Sequence, residues 1–310
     1  MGWFLIFLLV LIGAIAATPY VLEARRKGLS KRMRNDAPGR FAKLSDGQTY
    51  YQWHGPLDGQ VLVCVHGLTT PSFVFDGLVR SLTMMGFRVL TYDLYGRGFS
   101  DNPRGAQTRT FFIRQLRELL QDQEITEEFS LLGYSMGGTI ATILAAEESD
   151  RVDRLILLAP AGMGYAPAKI EAFMRDTPVI GDWLHRAIGG ALLRRWLSAL
   201  QGVPTAVEGI VARQTEQTHR RGFLPAVLSS QRHMLSENTD EEMAELRRIY
   251  VPILAIWGEE DAIIPQAAIG HLARVNRDAR QVTIPEASHW LPITHPREVM
   301  AAIQEFMRET

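Results

Sequence analysis

The segment Gly133-Tyr134-Ser135-Met136-Gly137 constrains the fold more than any other part of the chain. It follows the apolar run 129–132 and leads into the small-residue stretch 138–146, a pattern that reads strand, sharp turn, helix. A serine on such a turn is pushed out of the backbone in a strained conformation. Glycines on both sides remove the Cβ atoms that would block the passing chain. The turn presents a nucleophile, but a chain with 26 glycines can reach this spacing by chance, so its meaning depends on the surroundings.

Those surroundings alternate. Apolar runs at 61–65, 88–92, 129–132, 155–159, 253–257 and 281–284 are separated by segments of helical periodicity at 73–85, 108–123, 136–147, 265–275 and 296–308. Such alternation predicts a parallel sheet covered by helices on both faces. Before it, the runs 41–44 and 48–54 flank Ser45-Asp46-Gly47, which reads as a hairpin. With 46% hydrophobic and 22% charged residues, the 310-residue chain has ample material for a large core. Its single cysteine, Cys64, falls inside a strand run and reads as packing; no intramolecular disulfide is available. A net charge of -1 supplies no general field for nucleic acid, so nucleic-acid binding is excluded as a class.

Two stretches break the alternation. Residues 2–17 carry no charged or strongly polar side chain, and the tolerable stretch runs on to 22, enough for roughly 31 Å of helix. We expect a transmembrane anchor over 1–22 and a basic linker over 23–40. The basic residues Arg25, Arg26, Lys27, Lys31, Arg32 and Arg34 follow the apolar stretch, which predicts an outward N-terminus and a cytoplasmic catalytic domain. A cleaved signal peptide is the alternative, with Ala14-Ile15-Ala16 as its small-x-small site, but no basic n-region precedes the stretch. The second break, 162–250, is helical throughout, with stripes at Trp183, Leu184, Ile188, Leu192, Leu193 and Trp196 and at Phe223, Val227, Leu228 and Met234. An insertion there sits above the strand ends, so a lid is expected over a core formed by 41–161 and 251–310.

A serine hydroxyl needs a base within hydrogen-bond reach and a third group to orient that base. His289 lies just beyond the last strand, before the C-terminal helix, at the end of the sheet where Ser135 is displayed. His295 is its only serious rival, and the other histidines fall in strand or helix settings. The strand 253–257 is followed by Gly258-Glu259-Glu260-Asp261, and Asp261 is the acid expected to be buried while its two neighbours stay solvated. The chain order is then Ser135, Asp261, His289. Donors for a tetrahedral oxyanion are expected from the backbone N–H groups of Met136 and Leu68, with His66 holding the latter loop by hydrogen bonds. No metal or organic cofactor is required: no Cys/His cluster has metal-ligand spacing, and the glycines after Val65 lack a nucleotide-loop pattern.

Taken with the turn 93–100 (Asp93-Leu94-Tyr95-Gly96-Arg97-Gly98-Phe99-Ser100), the His66-Gly67 loop, 133–137, 258–261 with Pro265, and Ser288-His289, the chain resembles the α/β-hydrolase superfamily over 41–308. The resemblance implies an α/β fold with a mostly parallel eight-stranded sheet, helices on both faces and a helical lid, here with an N-terminal transmembrane helix. It implies cleavage of carboxylic esters through an acyl-enzyme. Serine at the nucleophile position argues against the family's dehalogenases and epoxide hydrolases. In architecture the chain is similar to membrane-anchored monoacylglycerol lipases and related esterases, which implies an amphiphilic ester substrate and a membrane as partner. Phe73, Phe75, Trp183, Trp196, Phe223 and Trp290 are candidates for an apolar acyl pocket, and burial in the ordinary core explains them as well or better. Carbon-carbon bond hydrolysis, lactonase or amidase activity by the same triad, and a catalytically silent ligand-binding role are the competing readings.

Overall fold

The computed structural model describes residues 2–309; Met1 and Thr310, the outermost residues of the expected anchor and core, lie outside the described residues. Eight strands, β1 (Arg40–Lys43), β2 (Gln48–His54), β3 (Gln60–Val65), β4 (Phe87–Tyr92), β5 (Phe129–Tyr134), β6 (Val152–Leu158), β7 (Ile253–Gly258) and β8 (Arg280–Ile284), form one sheet. Their order is β1-β2-β4-β3-β5-β6-β7-β8. The hairpin β1–β2 and the β2–β4 pair are antiparallel, and every later pairing is parallel.

Burial explains why the central strands are unbroken apolar runs. Leu131 and Leu132 on β5 point to opposite faces, yet both are fully buried, as are Ile156 and Leu157 on β6. Both faces of the sheet are therefore covered. The helix Asp76–Met84 packs with Pro296–Glu309, and Arg109–Asp122 packs with Met136–Glu147, which also lies on β5 and β6. Thr108 begins the second of these pairs by accepting a hydrogen bond from the Phe111 N–H at 3.4 Å, and Phe112, Leu116, Leu119 and Leu120 then line its buried stripe. The crossover from β3 runs to β4 on one side, and the next, from β4, returns past β3 to β5 on its other side. The crevice between the C-terminal ends of β3 and β5 is therefore the topological switch point, where open parallel sheets bind ligands.

Between β6 and β7 the chain is helical, with α-helices at Lys169–Asp176, Ile180–Leu184, Gly190–Leu197, Ile210–Gln217, Phe223–Arg232 and Asp240–Arg248. A π-helical turn, His185–Gly189, joins two of them.

The N-terminal helix Gly2–Arg25 is a candidate membrane span: it is apolar, exposed along nearly its whole length and about 36 Å long, though a signal sequence has the same properties. Only its far end is covered. Glu23 is buried and accepts a hydrogen bond from the Gly222 N–H at 2.6 Å, Trp183 Nε1 donates to the Ile15 carbonyl at 3.1 Å, and the Arg186 guanidinium lies 4.9 Å from the Tyr20 ring centre. The basic stretch that follows is folded: Arg26 pairs with Glu23 at 3.0 Å, Ser30 caps a short helix Lys31–Asn35, and Arg34 pairs with Asp101 and Gln48. Part of the stretch expected to be a basic linker is thus engaged with the globular domain.

Candidate active site

Ser135 sits where β5 gives way to the helix Met136–Glu147, at φ 54° and ψ -121°. A non-glycine residue there carries strain of about 1–3 kcal/mol. The surroundings hold it in place: Ser135 N–H donates to the Leu158 carbonyl at 2.9 Å, and its own carbonyl accepts from Gly138 at 2.8 Å and Ala161 at 3.1 Å. The flanking glycines are sterically required. A Cβ on Gly133 would stand 2.5 Å from the Gly137 carbonyl oxygen, and one on Gly137 would overlap the Val65 carbonyl.

His289, on the loop after β8, is brought to this turn. Its Nε2 lies 3.0 Å from Ser135 Oγ, and its Nδ1 lies 2.8 Å from Asp261 Oδ2. The other oxygen of Asp261 accepts from the N–H groups of Ile263 and Ile264, both at 2.8 Å, so the carboxylate is fixed on both sides. With Nδ1–H committed to the carboxylate, Nε2 carries the lone pair that accepts from the serine hydroxyl. The Tyr134 hydroxyl donates to the His289 carbonyl at 2.9 Å and ties the loop to the end of β5. Glu259 and Glu260 are exposed, and Glu259 accepts from the Glu286 N–H at 3.2 Å instead of reaching the imidazole. His295 hydrogen-bonds Thr294 at 2.9 Å and does not line the cavity in front of Ser135, whereas His289 does.

Leu68 lies on the loop after β3 and lines the same cavity as Ser135. The two are close, for a Cβ on Gly67 would stand 3.1 Å from Ser135 Cβ. Among the described residues, neither the Leu68 N–H nor the Met136 N–H has a protein acceptor. Met136 also begins a helix, whose N-terminus favours negative charge.

Two buried groups hold the Leu68 loop. His66 donates from Nδ1 to the Gly67 carbonyl at 2.8 Å and accepts the Leu94 N–H on Nε2 at 2.9 Å. Burial pushes its pKa down to about 3, with the Arg97 charge adding to the effect, so the ring is neutral and loop-holding. Arg97 is the residue that sequence reasoning missed, having absorbed it into a structural turn. Its Nε donates to the Leu68 carbonyl at 2.9 Å, while its other nitrogens reach the Tyr95 carbonyl at 2.9 Å, Ser230 Oγ at 2.8 Å and Gln107. Burial lowers its pKa to about 9, which leaves it protonated at neutral pH. Arg97 therefore links the loop of Leu68 to the helix Phe223–Arg232. The only sequence signal is an arginine set between two glycines, the one charged residue of the run 94–100.

The cavity in front of Ser135 measures about 330 Å³. Its apolar wall is formed by Leu192, Leu193, Trp196, Leu224 and Val227, all from the helical segment between β6 and β7. Of the six aromatic residues expected at an acyl pocket, only Trp196 lines it. Trp290 stacks behind Trp196 with ring centres 4.0 Å apart, Phe75 and Phe223 are core, Phe73 lies under Arg213, and Trp183 meets the N-terminal helix. Helical spacing identifies which face of a helix is buried but not what it is buried against. Among the described residues, no group of three His, Cys, Asp or Glu side chains is arranged to hold a metal ion.

The chain is similar to known proteins over most of its length. A family model described as the alpha/beta hydrolase fold matches residues 60–296. The pimeloyl-[acyl-carrier protein] methyl ester esterase of Nitrosomonas europaea is 28% identical over 264 residues, covering 79% of this chain and 94% of its own. Among solved structures, the enol-lactonase of Burkholderia xenovorans LB400 superposes with a TM-score of 0.71 at 22% identity, over 87% of this chain and all of its own. A membrane phospholipase A described as a bacterial virulence factor does so with a TM-score of 0.69 at 19% identity, over all of this chain and 99% of its own. Other relatives are Lipase 1 of Psychrobacter immobilis, 24% identical over 84% of this chain and 80% of its own, and the 2-hydroxy-6-oxononadienedioate/2-hydroxy-6-oxononatrienedioate hydrolase of Cupriavidus pinatubonensis, 25% identical over 86% of this chain and 94% of its own. With the family model covering well over half its length, the chain belongs to the α/β-hydrolase fold family.

Proposed function

We propose that the protein is a serine hydrolase that cleaves carboxylic esters through an acyl-enzyme. The observation that carries this is the pair of contacts on His289, 3.0 Å to Ser135 Oγ and 2.8 Å to Asp261 Oδ2, at the edge of a largely apolar cavity. His289 takes the hydroxyl proton as Ser135 Oγ attacks the carbonyl carbon, and the developing oxyanion is met by the N–H groups of Leu68 and Met136. His289 then gives the proton to the leaving alcohol. A water, deprotonated by His289, attacks the acyl carbon and returns the serine. Asp261 keeps the imidazole aligned and stabilises its charged form throughout.

The substrate class that fits is an amphiphilic ester such as a monoacylglycerol. The cavity lies at the lower end of the usual range for small-molecule sites, about 300–1,000 Å³, and its wall is rich in aliphatic side chains. The esterase and phospholipase names carried by similar proteins support acyl-oxygen cleavage. In this reading residues 1–22 anchor the enzyme and residues 162–250 form a lid over a core of 41–161 and 251–310. The flank of basic residues supports a cytoplasmic catalytic domain, and a C-terminal reporter active only outside the cytoplasm would reverse that orientation. The reaction is tested by hydrolysis of p-nitrophenyl esters and monoacylglycerols of graded chain length, with Ser135→Ala as the control. Turnover abolished by the substitution supports the reading, and no turnover of any ester by folded protein overturns it.

A further inference from the structure

One wall of the cavity is polar, and two of its side chains are short of partners. His185 is 5% exposed and Gln231 is 6% exposed, both line the cavity, and neither His185 Nδ1 nor Gln231 Oε1 meets a hydrogen-bond partner. Buried polar atoms are nearly always paired, because leaving one unpaired forfeits its hydration. A cavity that keeps two such atoms has its own demand for a ligand.

The local structure presents both groups. His185 opens the π-helical turn His185–Gly189, a geometry that is rare and concentrated at functional sites. Gly189 gives the ring room, since a Cβ there would stand 3.1 Å from its Cδ2 and 3.2 Å from Nδ1. Burial, with Arg186 and Arg232 nearby, pushes the His185 pKa down to about 4, so at neutral pH the ring offers one N–H and one lone pair. Tyr165 lines the same wall, and the carbonyl oxygen of Gln231 is left for a donor from the cavity. Glu171 completes this wall and accepts from the Ala168 N–H at 3.3 Å.

This wall is rich in acceptors, and no lysine or arginine lines the cavity. It is poorly suited to a phosphate or carboxylate and well suited to hydroxyl groups. We infer that His185, Gln231, Tyr165 and Glu171 form a subsite for the neutral, hydroxyl-bearing alcohol portion of the substrate, which makes the substrate a fatty ester of a polyhydric alcohol of the glycerol kind. The inference rests on the ester-hydrolase reading for the reaction but not for the binding.

The test separates the two. Full-length protein in detergent is titrated with a 1-O-alkylglycerol ether and with an alkyl methyl ether of the same chain, neither hydrolysable, following the fluorescence of Trp196 and its neighbours. The glycerol ether is expected to bind about tenfold tighter, the scale of a buried polar group gaining a partner. That ratio collapses in His185→Phe and in Gln231→Leu and is partly kept in His185→Asn, which retains a donor and an acceptor. The kcat/KM ratio of a monoacylglycerol over the methyl ester of the same acid falls in parallel. Equal affinity for the two ethers in the unmodified protein overturns the subsite, as does an equal loss of both ethers in the variants. Tighter glycerol-ether binding without turnover of any ester upholds the subsite and removes the esterase reading.

Discussion

The floor and the roof of the cavity are built on different principles. The floor, at the ends of β3, β5, β7 and β8, is made of turns whose backbone is fixed atom by atom: Ser135 in a strained conformation, Gly137 pressed against the Val65 carbonyl, Asp261 bonded to two successive N–H groups. The roof, between β6 and β7, is made of helices that meet the cavity with ordinary side chains, and its outer surface touches the N-terminal helix through Trp183, Arg186 and Gly222. A floor so constrained leaves little room for substitution, and in the proposed reading it sets the kind of reaction while the helices of the roof set what enters.

The sharpest way to break this division is at the floor. Ser135→Ala should lower ester turnover by about 10⁴–10⁶-fold and Asp261→Asn by about 10⁴-fold, measured as kcat on a p-nitrophenyl ester, with unchanged circular dichroism. A modest loss from Ser135→Ala would move the chemistry elsewhere in the cavity. Gly137→Ala tests the steric half of the claim. With its Cβ driven into the Val65 carbonyl, it should cost about 3 kcal/mol or more of stability, read from denaturant unfolding. A variant as stable as the parent would show that the turn has slack.

The same division explains what the sequence made legible. The strand runs, the Asp46-Gly47 hairpin and the positions of Ser135, Asp261 and His289 all depend on short-range pattern: period, glycine spacing, an acid or a histidine just past a strand. Those signals survive because the backbone itself demands them. Arg97 escapes because its partners, Leu68, Ser230 and Gln107, are far apart in sequence and all neutral, so no charge pattern announces it. The aromatic candidates divide as the sequence leaves open: Trp196 lines the cavity while Phe75 and Phe223 are core, because apolar spacing marks a buried position without saying what it is buried against. His185 looks like any other histidine in a helical stretch; neither its π-helical turn nor its place on the cavity wall is visible in the pattern.

A smaller effect sharpens the comparison through pH. His66, in the floor, is neutral when folded, with its pKa pushed down to about 3, whereas in the unfolded chain it titrates near the ordinary value of about 6.5. Between those values the unfolded state holds more protons. Stability therefore rises with pH: the contribution of the neutral ring is complete above about pH 6.5 and is lost progressively as pH falls toward 3. Replacing His66 by Asn, which cannot titrate, should flatten the slope of unfolding free energy in that window by up to one proton, about 1.4 kcal/mol per pH unit. His185, in the roof, is shifted the same way to about 4, so His185→Asn should flatten the slope over a narrower range. An unchanged slope in His66→Asn would mean that the ring is not kept neutral by its surroundings.

The smallest predicted effect asks whether the floor is independent of the roof. Tyr134 precedes the proposed nucleophile on β5, and its hydroxyl holds the His289 carbonyl at 2.9 Å, while its ring lies 5.3 Å from the imidazole. Tyr134→Phe keeps the ring and removes one buried hydrogen bond, a loss of about 1 kcal/mol. If the imidazole is aligned by the floor alone, kcat should fall about fivefold, the rate equivalent of that energy, and by the same factor for a monoacylglycerol and for the methyl ester of the same acid. A change in the roof should instead split the two substrates. A Tyr134→Phe enzyme that loses one substrate much more than the other would show that the position of His289 depends on what the helices hold against it, and the separation of reaction from selection would then fail at its most direct point of contact.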